Sequence, residues 1–273
     1  MRKYLLDKNK DFELQNFGFT IIDFFNEGEI KEIVNFNKKC TKNYPTYKLN
    51  YSFTDSNKQN LEKIETEFRK KYEKHILKHF ADFKMLGIGF INKGIGLNNE
   101  TPFHQDWSMV DENNHQSIAC WLPLNTLDNK SGAFTVLPKS HTLKTGIRSL
   151  NNPTFTIDII DKRIATKKLE IKLKLGQGIL YFSPLFHGTF PNHKLWIRRT
   201  LVFNLIPIEA TPHFYYKIGN LFNVYKLPND FSLNYIKYIK EEKFLEFELL
   251  EQVEINNSIT NKNKLIEMIQ QLD

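Results

Sequence analysis

The sequence predicts a mostly β fold with flanking helices, and two observations support this prediction. From Met85 onward, apolar residues recur with a period of two, which is the spacing of a strand that buries one face. The chain also contains 23 Phe and 11 Tyr, and aromatic side chains pack well on pleated sheets. No internal repeat or linker is visible, so we expect a single domain over residues 1–273. Its core would be a β-barrel or double sheet at about 85–210.

A strand and two helices are predicted in the N-terminal segment, 12–80. Residues 17–25 (FGFTIIDFF) have the composition of a strand. Asn26 follows, and Glu29 three residues later completes the pattern of a capping box at the start of a helix. A longer helix is predicted over 57–80, where apolar residues recur at spacings of three and four.

Short strands separated by turn residues make up the predicted core. Their predicted bounds are 85–91, 117–124, 133–137, 169–175, 179–182 and 196–206. The strict alternation in 169–175 (LEIKLKL) predicts one buried and one solvated face. After Pro212 the pattern becomes helical, through 230–254 and 261–272. We therefore expect a C-terminal helical extension over 215–273 that caps the barrel.

Charge and apolar content exclude several classes of partner. The net charge is +7, but no strong basic block or base-stacking motif accompanies it, so we expect no nucleic-acid partner. No window approaches the roughly 18 uninterrupted apolar residues of a membrane helix. Residues 1–10 do not resemble a secretion signal, and we expect no membrane association. The mild positive field instead suits anionic small molecules.

The two cysteines, Cys40 and Cys120, indicate a reducing environment. Cys120 lies in an apolar run and is predicted to be a buried thiol, while Cys40 lies at the end of a predicted helix. Nothing in their spacing indicates a disulfide framework, so the cytoplasm is the expected location. We expect a monomer or a weak homodimer.

His104 and Asp106 form a His-x-Asp step that points to metal chemistry. In a strand, residues i and i+2 project to the same side, so the two side chains would point together while Gln105 points elsewhere. Taken alone, the pair could equally be two polar residues in a loop that follows Pro102.

His187 strengthens the metal interpretation. It follows the apolar run 179–182, and a polar ring at the end of a buried strand needs a partner. A hydrogen-bonded core histidine is the alternative for this residue by itself. Together with His104 and Asp106, however, it supplies two imidazoles and one carboxylate. Such a set can occupy one face of an octahedral iron and leave positions open for a co-substrate and dioxygen.

Arg198 lies eleven residues beyond His187, in the predicted strand 196–206. Alternation places on one face of this strand the residues Arg198, Thr200, Val202 and Asn204. This face has the polar character of an active-site lumen, and a guanidinium group matches a carboxylate bidentately. Arg198 could therefore hold the far carboxylate of a dicarboxylic acid. If the strand faced the other way, Arg199 would take this role. Alternatively, Arg198 and Arg199 could be an exposed basic pair without a role in binding.

Three segments resemble the phytanoyl-CoA dioxygenase family of Fe(II)- and 2-oxoglutarate-dependent oxygenases. They are TPFHQDWSMVDENNHQSIACWLPLNTLDNKSGAFTVLPKSH (101–141), LFHGTFPNHKLWIRRTLVFN (185–204) and NFGFTIIDFFNEGEIKEI (16–33). The likeness covers about 12–210 and leaves the C-terminal segment outside it. It implies a double-stranded β-helix, the cupin-like jelly roll, with a metal between its two sheets.

The resemblance also implies a role for particular residues. The implied iron ligands are His104, Asp106 and His187, and the implied 2-oxoglutarate pocket consists of Arg198, Thr189, Trp121 and Gln105. Asn192 is expected to shape the neighbouring loop. One departure is that Ser131-Gly132 stands where the family often has Asn-Gly, but Gly132 still permits the turn.

The reaction implied by the resemblance is hydroxylation of an unactivated C–H bond of a small or carrier-bound metabolite. Fe(II), 2-oxoglutarate and O2 would be required, and succinate and CO2 would be released. The carboxylate of Asp106 favours hydroxylation over halogenation, because related halogenases carry a small residue there. A non-oxidative, cupin-like metal-dependent isomerase or small-molecule binding protein is the alternative.

Loops at 44–55, 111–116 and 142–168 are expected to select the substrate. The last of these loops is basic, with Lys144, Arg148, Lys162, Arg163, Lys167 and Lys168. We therefore expect an anionic group on the substrate, such as a phosphate, a carboxylate or a phosphopantetheine tether.

Overall fold

Antiparallel strands form the centre of the protein, in a computed structural model that describes residues 2–55, 57–96, 99–128, 130–153, 155–254, 259 and 261–272. The strands are β1 (Phe19–Asp23), β2 (Leu49–Tyr51), β3 (Phe83–Lys93), β4 (Thr101–His104), β5 (Ile118–Pro123), β6 (Phe134–Val136), β7 (Leu169–Glu170), β8 (Gln177–Phe182), β9 (His187–Thr189), β10 (Arg198–Pro207), β11 (His213–Ile218), β12 (Leu221–Lys226) and β13 (Leu249–Glu254). The helices are α1 (Lys8–Phe17), α2 (Glu27–Cys40), α3 (Lys58–Lys63), α4 (Arg69–Leu77), α5 (Phe231–Lys240) and α6 (Lys262–Gln270). None of the helices within these ranges is long and apolar enough to cross a membrane.

Two sheets face each other across a shared core. The larger has the order β1-β8-β5-β10-β3-β2, and the smaller has the order β4-β9-β6-β7. Trp121 and Ile179 from the larger sheet pack against Phe134 and Val136 from the smaller one. Neighbouring strands in both sheets are antiparallel. The predicted mostly β, jelly-roll architecture is confirmed.

The outer face of the larger sheet is covered by the N-terminal helices. Alternation along β10 places Leu201, Phe203 and Leu205 in a cluster with Ile33 of α2 and Ile76 of α4. The opposite face of β10 is therefore turned toward the smaller sheet, and this is the face that carries Arg198, Thr200, Val202 and Asn204. The strand period thus fixes which side chains face the interior between the sheets.

The predicted N-terminal helices form largely as expected. Asn26 and Glu29 make the reciprocal capping box at the start of α2, with backbone-to-side-chain distances of 3.0 and 2.9 Å. The long helix predicted over 57–80 is built from α3, one π-helical turn at Ile64–Phe68, and α4. The π turn keeps both Ile64 and Phe68 buried, so the apolar stripe is continuous through it.

The helical extension predicted over 215–273 is wrong at β11 and β12 and again at β13, whereas α5 and α6 are helical as predicted. β11 and β12 pair as a hairpin, and β13 adds to it to form a three-stranded sheet. The hairpin turn is Gly219-Asn220, between the paired residues Ile218 and Leu221, and Gly219 has a φ of 58°. A Gly-Asn step between two aromatic-rich segments is a short-hairpin signal, and it outweighs the weaker helical pattern.

Three smaller predictions also need correction. Of the strand predicted over 169–175, only β7 pairs in a ladder, although Ile171 and Leu173 are buried as the alternation predicted. The strand predicted over 17–25 begins later, because Gly18 ends α1 with a φ of 84°. The expected loop at 44–55 contains β2 and a short 3₁₀ turn.

Candidate metal centre and anion pocket

Strand pairing in the smaller sheet brings two distant histidines together. β4 and β9 are antiparallel neighbours, and their register places His104 opposite His187. The centroids of the two imidazole rings lie 4.4 Å apart. His187 is buried because β9 lies between β4 and β6, whereas His104 at the sheet edge is partly exposed.

Asp106 follows β4 and turns its carboxylate toward both imidazoles. Its Oδ1 lies 3.9 Å from Nε2 of His104 and 3.7 Å from Nε2 of His187. Its backbone is held on two sides, because the N–H donates to the Ser183 carbonyl at 3.0 Å and the carbonyl accepts from Nε of Arg148 at 2.8 Å. One potential ligand atom from each of the three side chains lies within 4.8 Å of the other two. We call this set the triad.

Backbone carbonyls fix the tautomer of both imidazoles. Nδ1 of His104 lies 2.9 Å from the Pro102 carbonyl, and Nδ1 of His187 lies 2.9 Å from the Leu185 carbonyl. A carbonyl only accepts hydrogen bonds, so each Nδ1 carries a proton and each Nε2 presents a lone pair to the common centre. Burial lowers the pKa of His187 to about 4, an effect that His104 reinforces and Asp106 opposes. The neutral imidazole is the form that binds a metal.

Tyr181 on β8 lies on the buried side of the triad, a position that the motif analysis missed. Its ring centroid lies 4.4 Å from that of His187. Burial raises the pKa of Tyr181, and the Asp106 carboxylate is close enough to raise it further, so the hydroxyl keeps its proton and can donate to the carboxylate. Alternation along β8 puts Tyr181 on the same inward face as Ile179, and that period is the signal that could have found it.

Arg198 lies fully buried on the inward face of β10. Its guanidinium carbon is 4.9 Å from the centroid of Trp121, and its Nη1 donates to the carbonyl of Gly132. Gly132 has a φ of 78°, and a Cβ there would lie 2.6 Å from the Phe190 carbonyl, so glycine is required at this turn. Burial lowers the pKa of Arg198 to about 9. Arg199 points to the opposite face of the strand.

Lys93 is a second buried basic residue, and no sequence motif identified it. It ends β3 directly opposite Arg198, and its side chain has no exposed surface. Its Nζ donates to Oγ1 of Thr189 at 2.5 Å and to the carbonyl of Phe190 at 3.0 Å. Burial lowers the pKa of Lys93 to about 6; Arg198 lowers it further and Glu100 opposes the shift. The sequence signal that could have identified Lys93 is the position of a lysine on the inward face of a predicted strand.

Neither cation has an anionic partner within the ranges that the structure describes. No described carboxylate forms an ion pair with Lys93 or Arg198. Nε of Arg198 and Oγ1 of Thr200, both buried, also have no hydrogen-bond partner among the described residues. A buried charge without a partner is costly, so this anion pocket is suited to bind a carboxylate from outside the chain.

Gln105 and Asn192 hold the surrounding backbone. The Gln105 amide donates to the Pro184 carbonyl at 2.6 Å and accepts from Oγ1 of Thr145 at 2.8 Å, so both of its ends are occupied although the residue borders the cavity. The buried Asn192 amide donates to the Trp196 carbonyl at 2.7 Å and shapes its loop.

The basic loop at 142–168 does not line the cavity through any residue that the structure describes. Arg148 is instead buried in a bidentate ion pair with Glu112, with a distance of 2.7 Å from Nη1 to Oε2. Arg163 pairs with Asp161 at 2.7 Å. The expected recognition of an anionic substrate group by this loop therefore has no structural basis.

A cavity of about 480 Å³ connects the triad and the anion pocket. It is lined from both sheets, by residues that include His104 and His187 on one side and Arg198 and Val202 on the other. Its volume lies in the range typical of small-molecule sites.

Three solved structures share this fold at low sequence identity. EvdO2 from Micromonospora carbonacea var. aurantiaca, complexed with 2-oxoglutarate, is 15% identical with a TM-score of 0.56 over 82% of this chain and 96% of its own. HygX from Streptomyces hygroscopicus, with nickel and 2-oxoglutarate bound, is 14% identical with a TM-score of 0.57 over 75% and 88%. The epimerase SnoN, in complex with Fe3+, alpha ketoglutarate and nogalamycin RO, is 11% identical with a TM-score of 0.55 over 75% and 85%.

Among curated proteins, no sequence matches this chain. At the level of families, however, the model for phytanoyl-CoA dioxygenase (PhyH) matches residues 20–200. That segment is more than half of the 273 residues and contains the triad, Lys93 and Arg198. The chain therefore belongs to the phytanoyl-CoA dioxygenase family.

Proposed function

We propose that this protein is an Fe(II)- and 2-oxoglutarate-dependent oxygenase that hydroxylates a C–H bond of a small or carrier-bound metabolite. The observation that carries the proposal is a pair of buried basic residues beside the triad: Arg198 lines the same cavity, and Lys93, opposite it on β3, donates to Oγ1 of the cavity-lining Thr189. A metal-binding set explains the triad alone, but only an anionic co-substrate explains the cations beside it.

The residues of the triad fit a ferrous ion. Two neutral imidazoles and one carboxylate are the set found in non-haem iron oxygenases. The carbonyls that fix both tautomers aim the Nε2 lone pairs of His104 and His187 at the same point. Asp106 supplies the third ligand, and the backbone contacts with Ser183 and Arg148 hold it in place.

The anion pocket fits the distal carboxylate of 2-oxoglutarate. Arg198 would pair with this group through its fork of N–H donors, and Lys93 would add a second positive charge. Oγ1 of Thr189 and Oγ1 of Thr200 lie on the same inward surface and offer hydroxyl partners. The ring of Trp121 holds the guanidinium in place from the side.

When bound, iron and 2-oxoglutarate would supply dioxygen activation, with decarboxylation to succinate and CO2 and insertion of one oxygen atom into a substrate C–H bond. The chain's own residues do the remaining work. The triad would hold the metal at the wall of the cavity, the anion pocket would orient the co-substrate, and the apolar side chains that line the cavity would orient the substrate.

The non-oxidative alternative explains fewer of these features. A cupin-like isomerase or binding protein needs a metal set but has no use for a buried arginine and a buried lysine that lack a carboxylate partner among the described residues. Structures of the same fold include an epimerase and a carbocyclase, so product analysis has to distinguish hydroxylation from other outcomes.

The test is an anaerobic titration of the Fe(II)-loaded protein with 2-oxoglutarate. A weak visible charge-transfer band should appear, and succinate should form when oxygen is admitted. Absence of the band together with absence of succinate would contradict the proposal. An epimerised or cyclised product in place of a hydroxylated one would contradict hydroxylation alone.

Arg198→Gln removes the proposed anchor, and Arg199→Gln is its matched control on the opposite face of the same strand. We expect Arg198→Gln to weaken 2-oxoglutarate binding by about 2–5 kcal/mol, because a buried charge pair loses one partner. Arg199→Gln should leave the binding constant within about twofold of the wild-type value. Equal effects of the two substitutions on the charge-transfer titration would count against the assigned pocket.

A further inference from the structure

The cavity extends well beyond the triad and the anion pocket. Arg198 and Gly87 both line it, and Gly87 lies on β3 six residues before Lys93, the strand partner of Arg198, which corresponds to roughly 20 Å along the strand. The far part of the cavity, which we call the outer compartment, is walled by Phe53, Leu61, Ile64, Trp107, Met109 and Phe231. Four separate segments of the chain therefore contribute apolar side chains to it.

The outer compartment has almost no charge. Apart from the triad and Arg198, the charged side chain among the described cavity-lining residues is Glu65. Its carboxylate is paired with Nη1 of Arg69 at 3.1 Å, and its side chain is 9% exposed. This carboxylate is therefore already neutralised by a partner from the next turn of the helix.

On the sheet side, Gly87 leaves open space in the outer compartment. Gly87 pairs with Asn204 and Gly89 with Val202, so the two glycines lie on the face that looks into the cavity. A Cβ added at Gly87 would meet no atom closer than Cβ of Ser232, at 3.9 Å. The missing side chain at Gly87 leaves a gap between β3 and the start of α5.

We propose that the substrate is an uncharged, largely apolar small molecule that fills the outer compartment, with Gly87 and the start of α5 limiting its size. This inference rests on the proposed function and names the substrate class of that site. An apolar ligand gains free energy from leaving water, whereas a charged one would lose its hydration without finding a free partner. The reaction balances as substrate C–H plus O2 plus 2-oxoglutarate, giving C–OH, succinate and CO2.

Competition against a neutral dye, N-phenylnaphthylamine, tests the class. Its fluorescence is followed in the nickel-loaded protein under nitrogen, with excess 2-oxoglutarate to keep carboxylates out of the anion pocket. Decanol should displace the dye at a concentration at least about tenfold lower than decanoate or decylamine, because only decanol is uncharged. Equal or better displacement by decanoate or by decylamine would overturn the proposal.

Two substitutions at Gly87 locate the binding, with the same substitutions at the exposed Gly28 of α2 as controls. Gly87→Leu should weaken dye binding at least about tenfold by filling the compartment, while Gly28→Leu should not change it. Gly87→Lys should narrow the preference for decanol over decanoate, and Gly28→Lys, with the same added charge, should not. A change of preference cannot result from misfolding. If neither Gly87 variant changed the dye affinity or the preference for decanol over decanoate, the apolar site would lie elsewhere.

The two proposals fail in different ways. Dye binding and its sensitivity to Gly87 should persist when metal and 2-oxoglutarate are left out. Loss of all 2-oxoglutarate chemistry with this binding intact would refute the oxygenase proposal alone, whereas normal 2-oxoglutarate binding with a preference for charged competitors would refute the substrate class alone.

Discussion

Among single side chains, Lys93 and Arg198 distinguish this site from a plain metal centre. Both are buried on paired positions of neighbouring strands, and neither has an ion-pair partner in the described part of the chain. The two cations accommodate burial differently. Arginine keeps its charge in almost any surroundings, whereas lysine gives up its proton readily when desolvated. Lys93 is therefore the residue whose charge should respond to the co-substrate.

Binding of 2-oxoglutarate at pH 7.5 should draw a proton onto Lys93. Without a ligand, its pKa of about 6 makes the amine largely neutral at that pH. A carboxylate nearby favours the ammonium form and raises this pKa, so protons are taken up and affinity falls as pH rises above about 6. Calorimetry in buffers of different ionisation enthalpy measures the uptake. Lys93→Met should lower it by close to one proton per site.

Lys84→Met, on the same strand but with a partly exposed side chain that donates to the Ile208 carbonyl, is the control for that measurement. It should leave the proton uptake unchanged. The same buffer dependence in the wild type and in Lys93→Met would show that Lys93 does not titrate on binding.

Among the strands, β4 and β9 position the two histidines, and β3 and β10 position much of the rest of the site. Their antiparallel register aligns Lys93 with Arg198 at one end and the two glycines with Val202 and Asn204 at the other. One strand pair thus supplies both the anion pocket and the floor of the outer compartment. The two glycines have different surroundings. A Cβ added at Gly89 would lie 2.7 Å from Oγ of Ser52, whereas a Cβ added at Gly87 would lie 3.9 Å from its nearest neighbour, Cβ of Ser232.

Gly89→Ala should destabilise the fold, whereas Gly87→Ala should be nearly neutral. Oγ of Ser52 accepts a hydrogen bond from the Phe90 N–H at 2.8 Å, so displacing it also breaks a buried contact. We expect a loss of about 1–3 kcal/mol in the free energy of unfolding for Gly89→Ala, measured by urea denaturation. Equal stabilities of the two variants would mean that β3 and the Ser52 turn do not meet this closely.

Local patterns predicted some elements well and others poorly. The period of two in β10 placed Arg198 on the inward face and Arg199 outside, because alternation in a long strand leaves only two phases. The convergence of His104 and Asp106 was likewise predictable, because residues i and i+2 of a strand project to the same side. Lys93 and Tyr181 were missed because each becomes significant only through a partner from the other sheet, Thr189 and Asp106 respectively, and local sequence does not show how two sheets pack.

The C-terminal hairpin was missed for a different reason. Its segments mix aromatic and charged residues with no strong alternation, and the Gly219-Asn220 turn was the one local signal. The basic loop was misjudged because charge counts do not show which lysines and arginines already have partners. Arg148 is committed to Glu112, which only the folded chain reveals.

In the molecule as a whole, the start of α5 lines the outer compartment, and Phe214 of the C-terminal sheet packs against Phe231 there. Trp107 and Met109, just beyond the triad residue Asp106, pack against the cluster formed by Phe214, Phe231 and neighbouring aromatic residues. This sheet lies outside the segment 20–200 that defines family membership. The shared part of the chain therefore builds the metal centre and anion pocket, while the C-terminal part supplies a wall of the outer compartment.

The central claim is that one metal ion and one 2-oxoglutarate share this cavity, and a crystal structure of the nickel–2-oxoglutarate complex tests it most directly. It should show a single anomalous peak bound by His104, Asp106 and His187, with the distal carboxylate contacting Arg198 and Lys93. Nickel bound away from these three side chains, or a co-substrate carboxylate that leaves Arg198 unpaired, would contradict the account.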